Sequence, residues 1–282
     1  MKKVIPILLL LAFISLTVTA AFAAAGPLSR RYLEQAKEKI GQKQYKEALE
    51  DLEKFQELEP GSPFGFQLVG YIYYRQNKYE EAVLKFNRAI EIKPDFSNAF
   101  LYRGRCYYLL NLESDAKKDY EKAIQLNPKS IDAYFNLGEL YRLSGQFKKA
   151  RENFDKVIKL SPKDPKGYNY RGMVERELRM YEQAINDHTK AIYLKPEYSS
   201  AYMNRGRAQM EKNRNALALE DLNTAIKLNP RYGPAYYYRG MVYEKLGKAG
   251  NAAADFEEFL KINPRGYENQ KRNAKRKLES LK

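Results

Sequence analysis

Tryptophan is absent from the 282-residue sequence, and cysteine and histidine occur once each, as Cys106 and His188. A single cysteine excludes an intrachain disulfide, so stability must come from packing. One Cys and one His also exclude most metal-ligand clusters and nucleophile–base pairs. No carboxylate pair stands out from the charge spread along the chain, and no cofactor is expected. Against these absences stand 24 Tyr and 13 Phe, with 30% of residues charged. That composition describes a folded, helix-rich chain rather than a disordered one. The formal net charge is +15, which favours acidic peptides, nucleic acid or anionic lipid as partners.

Residues 1–25 have the layout of an export signal: Lys2 and Lys3, an apolar run from Ile7 to Leu16, then Ala21-Phe22-Ala23 and Ala23-Ala24-Ala25 as small-x-small cleavage sites. The expectation is cleavage after Ala23 or Ala25 and a periplasmic or secreted protein. Val4 to Ala25 is also long enough to remain as a membrane anchor. Pro6, Ser15, Thr17 and Thr19 argue against that. Removing the two leader lysines takes the net charge from +15 to about +13.

The remainder is periodic. Pro60, Pro94, Pro128, Pro162, Pro196, Pro230 and Pro264 lie 34 residues apart. With that proline numbered 32, the copies occupy 29–62, 63–96, 97–130, 131–164, 165–198, 199–232 and 233–266. Position 20 is Ala in every copy, from Ala48 to Ala252. Position 8 is Ala36 and then Gly70, Gly104, Gly138, Gly172, Gly206 and Gly240. Position 4 is Tyr or Phe, and position 24 is Leu52, Phe86, Tyr120, Phe154, His188, Leu222 and Phe256. These positions recur at helical spacing in two sets, so each copy predicts two antiparallel helices. Small residues at 8 and 20 permit close approach, aromatics fill the space beside them, and the proline stops the second helix.

This pattern resembles the tetratricopeptide repeat (TPR) family, whose motif carries a bulky residue at 4, Gly at 8, Ala at 20, an aromatic at 24, Ala at 27 and Pro at 32. The resemblance implies an all-α, right-handed α-solenoid of seven helix-turn-helix units. Residues 267–282 follow as a basic, amphipathic capping helix, which could also touch a membrane. Glu113, Asn215 and Ala249 depart from the aromatic usual at position 17, which predicts looser inter-helix turns in repeats three, six and seven.

Position 7, usually apolar in the family, is Arg103, Arg171, Arg205 and Arg239 in repeats three, five, six and seven. Position 23 in the same repeats is Asp119, Asp187, Asp221 and Asp255. An antiparallel pair of helices puts these positions side by side, so four Arg–Asp bridges are expected; the rival reading sends the arginines to the ligand groove. His188 stands where the other copies have Phe, Tyr or Leu, and Cys106 matches Ile72, Leu140, Val174, Ala208 and Val242, so both read as core.

The family resemblance also implies peptide binding in a concave groove lined by the first helices. Mapped onto this chain, the groove comprises Lys37, Gln67, Tyr71, Tyr74, Arg75, Arg105, Tyr108, Phe135, Arg142, Asn169, Arg176, Met203, Arg207 and Tyr237. Asp132, Glu139, Glu177, Glu211 and Glu244 interrupt it. Arg and Tyr suit an acidic protein or peptide segment. The expected function is a non-catalytic interaction scaffold of the bacterial cell envelope. The alternative is a binder of nucleic acid or of an anionic envelope polymer or membrane surface, with nucleic acid disfavoured by the compartment. Oligomeric state is not legible.

Overall fold

The computed structural model describes residues 26–281, and the leader lies outside them. Every regular element among the described residues is a helix. The described part of α1 covers residues 26–41. It is followed by α2 (Tyr45–Leu58), α3 (Pro63–Arg75), α4 (Tyr79–Ile92), α5 (Ser97–Leu109), α6 (Glu113–Leu126), α7 (Ile131–Leu143) and α8 (Phe147–Leu160). Then come α9 (Pro165–Glu177), α10 (Tyr181–Leu194), α11 (Ser199–Glu211), α12 (Asn215–Leu228), α13 (Gly233–Lys245), α14 (Ala249–Ile262) and α15 (Glu268–Leu281). From repeat two onward the first helix begins at position 1 and ends at 13; every second helix runs from 17 to 30. None of these helices is long and apolar enough to cross a membrane.

The close approach within each pair follows from the small residues. A Cβ on Gly70 would come within 2.9 Å of the Phe86 ring, and one on Gly240 equally close to Phe256. Phe86, Phe154, Phe256 and Leu222 are wholly buried, as the position-24 pattern requires.

The inter-helix turn is the same in all seven repeats, which corrects the expectation of looser turns. Position 15 adopts positive φ in each, at Lys43, Asn77, Asn111, Gly145, Arg179, Asn213 and Gly247. The next residue's N–H returns to the carbonyl five residues earlier, at 2.8 Å for Leu112, 3.0 Å for Arg214 and 2.9 Å for Lys248. This is the Schellman closure, and it is made by backbone. The position-17 side chain is therefore not needed to form it. Asn and Gly accept the left-handed conformation at little cost.

The helices group into two compact units, residues up to Ala133 and residues from Tyr134 onward, with the cut in the first turn of α7. In unit 1, Leu52, Ile72 and Phe86 anchor the core. In unit 2, Leu222, Val242, Phe256 and Phe259 do so, and Leu278 and Leu281 of α15 pack against them. The capping helix thus spends its apolar side on the core, with Ala274 fully buried.

Candidate interaction site

The position-7 arginines turn inward. In all four repeats Nε and Nη2 donate to the two oxygens of the position-23 Asp at 2.7–2.8 Å. The aspartates are at most 7% exposed. The third nitrogen, Nη1, reaches position 25 of the preceding repeat: Asn87 at 2.7 Å, Asp155 at 2.7 Å, Thr189 at 3.0 Å and Asn223 at 2.6 Å. The guanidinium also lies over the position-4 ring, 5.3–5.9 Å from its centroid. Each arginine therefore brackets two repeats, and the groove reading for these four residues is set aside. Burial raises the Asp221 carboxyl's pKa even against its guanidinium, as expected when desolvation rivals attraction.

The predicted groove residues fall into three groups. Several cations are already committed to neighbours: Lys37 to Glu34 at 2.7 Å, Arg105 to Asp132 at 3.3 Å, Arg142 to Glu139 at 2.7 Å, and Arg176 to Glu177. Arg75 donates to the Tyr71 hydroxyl at 2.9 Å. The acids that interrupt the stripe thus neutralise much of it. Aromatic members form ring clusters. Tyr71 and Tyr74 sit edge-on to Tyr102, and Phe135 packs on Phe154 and Tyr170. Gln67 is half-buried and Tyr108 is exposed. Asn169, Met203 and Tyr237 are buried, at 2%, 5% and 8% exposure, and so are not free surface. Tyr237 packs on Phe256 and Phe259 and donates its hydroxyl to Asn273 at 3.0 Å.

Four of the fourteen, Arg142, Asn169, Met203 and Arg207, meet at one cavity of about 440 Å³ within unit 2. Its walls are Tyr170, Tyr198, Tyr232, Tyr238 and Tyr267, and its rim includes Arg265 and Gln270. Three arginines line it and no carboxylate does. Arg142 is engaged by Glu139, whereas Arg207 and Arg265 form no ion pair among the described residues. Arg207 lies over Tyr238, 4.6 Å from the ring centroid, a cation–π contact that holds the guanidinium at the cavity wall. Burial raises the pKa of Tyr170, Tyr198, Tyr232 and Tyr267, so all four remain protonated donors at neutral pH.

The cavity floor rests on a buried polar chain. Asn204 donates to Asn169 Oδ1 at 3.1 Å, and His188 Nδ1 meets the same oxygen at 3.1 Å. That oxygen only accepts, so the network assigns the proton to Nδ1. Complete burial pushes the His188 pKa down to about 3, and the ring stays neutral. The sequence reading of His188 as core is correct, but it missed the tether to Asn169. It also missed the walls, which come from positions 6 and 34 and from the segment after Pro264. The available signal was Tyr198 and Tyr232 at position 34, where repeats one to four have Ser62, Phe96, Ser130 and Asp164.

One further group was unforeseen. Glu175 takes the place of the Tyr found at position 11 in four other repeats. It is 2% exposed. Arg151 of the preceding repeat bonds one oxygen at 3.2 Å and the other has no partner. Burial and nearby Asp187 push its pKa up to about 7. Cys106 is fully buried and its thiol is pushed up to about 12, which makes it inert. No group of three or more His, Cys, Asp or Glu side chains among the described residues is placed to hold a metal ion.

An all-helical repeat chain with a shaped cavity on its first-helix face belongs to the helical-repeat binding proteins. Tetratricopeptide repeat models match residues 97–130, 119–152, 170–230 and 203–267, and a TPR repeat model matches 70–111. The chain belongs to the tetratricopeptide repeat family, whose members are in general scaffolds for protein–protein interaction. No curated protein matches the sequence significantly. Among solved structures, a tetratricopeptide repeat protein from Parabacteroides merdae is similar with TM-score 0.66 at 20% identity, over 91% of this chain and 99% of that one. A chain of the APC/C hetero-tetramer Cut9–Hcn1 gives TM-score 0.66 at 22% identity, over 82% of this chain and 45% of the other. YrrB, described as a TPR protein with an unusual peptide-binding site, gives 0.59 at 21% over 67% of this chain and 97% of that one. The likeness in each case is one of fold.

Proposed function

We propose that this protein is a non-catalytic scaffold of the bacterial cell envelope that holds acidic segments of partner proteins against the first-helix face. The observation that carries this reading is the carboxylate-free cavity of unit 2, where Arg207 and Arg265 are unpaired and five tyrosines form the walls. Arg forks match carboxylates, and Tyr offers stiff contact area at low entropic cost. The export-type leader supports the compartment. The polar side of α15 leaves room only for electrostatic contact with a membrane, since its leucines are packed on the core.

Crosslinking and pull-down from the envelope fraction with the mature chain tests this reading. Partners rich in Asp and Glu should be recovered, and Arg207→Glu with Arg265→Glu should lose them. Unchanged recovery by the double variant would refute the site. A steep fall of binding with salt to an anionic polymer, without any protein partner, would replace the reading. Finding the chain only in the cytoplasm with its leader intact would refute the location.

A further inference from the structure

The cavity offers more than charge. A carboxylate alone fills a small part of about 440 Å³. The lining also includes the buried Met203 side chain and tyrosine rings, which gain nothing from an acidic group. The two unpaired guanidinia are a separate feature: Arg207 on α11 and Arg265 beyond α14. Arg207 sits over the Tyr238 ring and makes no ion pair, so its N–H groups remain for an acceptor, and a guanidinium fork suits a bidentate carboxylate. Asn204 completes the set. One of its two amide N–H groups is given to Asn169, which fixes the plane of the amide and leaves Oδ1 to accept a hydrogen bond and the second N–H to donate one in the cavity it lines. His188 acts behind it as a positioning residue, since its Nδ1 proton holds the Asn169 oxygen that orients Asn204.

We infer that the cavity reads a two-part signal in a partner protein: a ring-bearing side chain seated between Met203 and the tyrosine walls, beside a carboxylate gripped by Arg207 and Arg265. A main-chain N–H joining the two bonds Asn204. An aromatic side chain supplies the large buried area and the ring–ring geometry that tyrosine walls reward. This specificity rests on the acidic-segment reading above and narrows it.

The test selects a random nonapeptide phage library on the immobilised full chain, then measures recovered peptides as synthetic, fluorescently labelled copies by anisotropy. The expected result is enrichment of Phe, Tyr or Trp next to Asp or Glu. Replacing the ring by Ala should weaken binding at least tenfold, and replacing the acid by its amide about tenfold. Arg207→Gln with Arg265→Gln should abolish the acid dependence and keep the ring dependence. Arg265→Gln alone, at an exposed position, should show part of the effect in a chain with unchanged circular dichroism. Enrichment of acidic peptides with no ring preference overturns the two-part signal and leaves the acidic-segment reading standing. Enrichment of neither, or no selection at all, overturns both.

Discussion

The two units join consecutive repeats by the same two devices, rings and arginine brackets, in different proportion. In unit 1, repeats two and three meet largely through rings: Tyr102 lies edge-on to Tyr71 and Tyr74 and stacked with Phe86. A single guanidinium, Arg103, spans that joint. In unit 2, three such brackets follow one another, from Arg171, Arg205 and Arg239. Arg151–Glu175 and Arg214–Glu182 add further polar ties. Apolar contact tolerates small shifts, whereas a bidentate fork fixes register and plane. One 34-residue frame can thus be locked by packing or by directed hydrogen bonds. Unit 2, with more directed bonds, holds open the arginine- and tyrosine-lined cavity.

The comparison can be broken at several levels. The apolar core should not distinguish the units: Phe86→Ala and Phe256→Ala should each cost about 3–5 kcal/mol in urea unfolding. A large gap between them would mean that the difference lies in packing after all. Next, Asp221→Ala should cost roughly 3 kcal/mol, because Arg205 is left with its charge uncompensated. Arg205→Met with Asp221→Leu should unfold within about 1 kcal/mol of wild type, since the pair's desolvation offsets its attraction. If Asp221→Ala melts like wild type, the bracket contributes nothing measurable.

The smallest effect concerns pH. Glu175 has its pKa raised from an ordinary 4.5 to about 7. The stability it contributes as a neutral acid is full below pH 4.5 and is lost as pH rises through about 7. Asp187 acts with burial to raise it, and Arg171 and Arg151 act to lower it. Glu175→Gln should therefore gain on wild type by on the order of 1 kcal/mol between about pH 5 and pH 8 in thermal melts. A pH-independent gap would show that Arg151 keeps the carboxylate ionised throughout.

Much of the fold was legible because it is local. Proline spacing set the helix ends, the glycine at position 8 opposite position 24 set the pairing, and the Arg–Asp match followed from antiparallel helices 16 residues apart in sequence. What escaped depends on how one repeat meets the next. The position-25 acceptors, the burial of Asn169 and Met203, and the meeting of positions 6 and 34 around one cavity arise from that inter-repeat geometry, which a period alone does not encode. The uniform turn was legible, in Asn77, Asn111, Asn213, Gly145 and Gly247, but only to a reading attentive to left-handed backbone rather than to the residue at position 17.

The brackets also give the array a direction. Arg239 leans back on Asn223, Arg205 on Thr189 and Arg171 on Asp155. Clipping repeats from the C-terminal side removes each donor together with its own carboxylate, and water satisfies the acceptor left behind. Clipping from the N-terminal side removes the acceptor and leaves the fork on its own carboxylate, with water taking the freed Nη1. A copy duplicated within the series would bring both halves of the fastener, the Arg–Asp fork and the position-25 acceptor, so it could join its neighbours without either half having to arise anew.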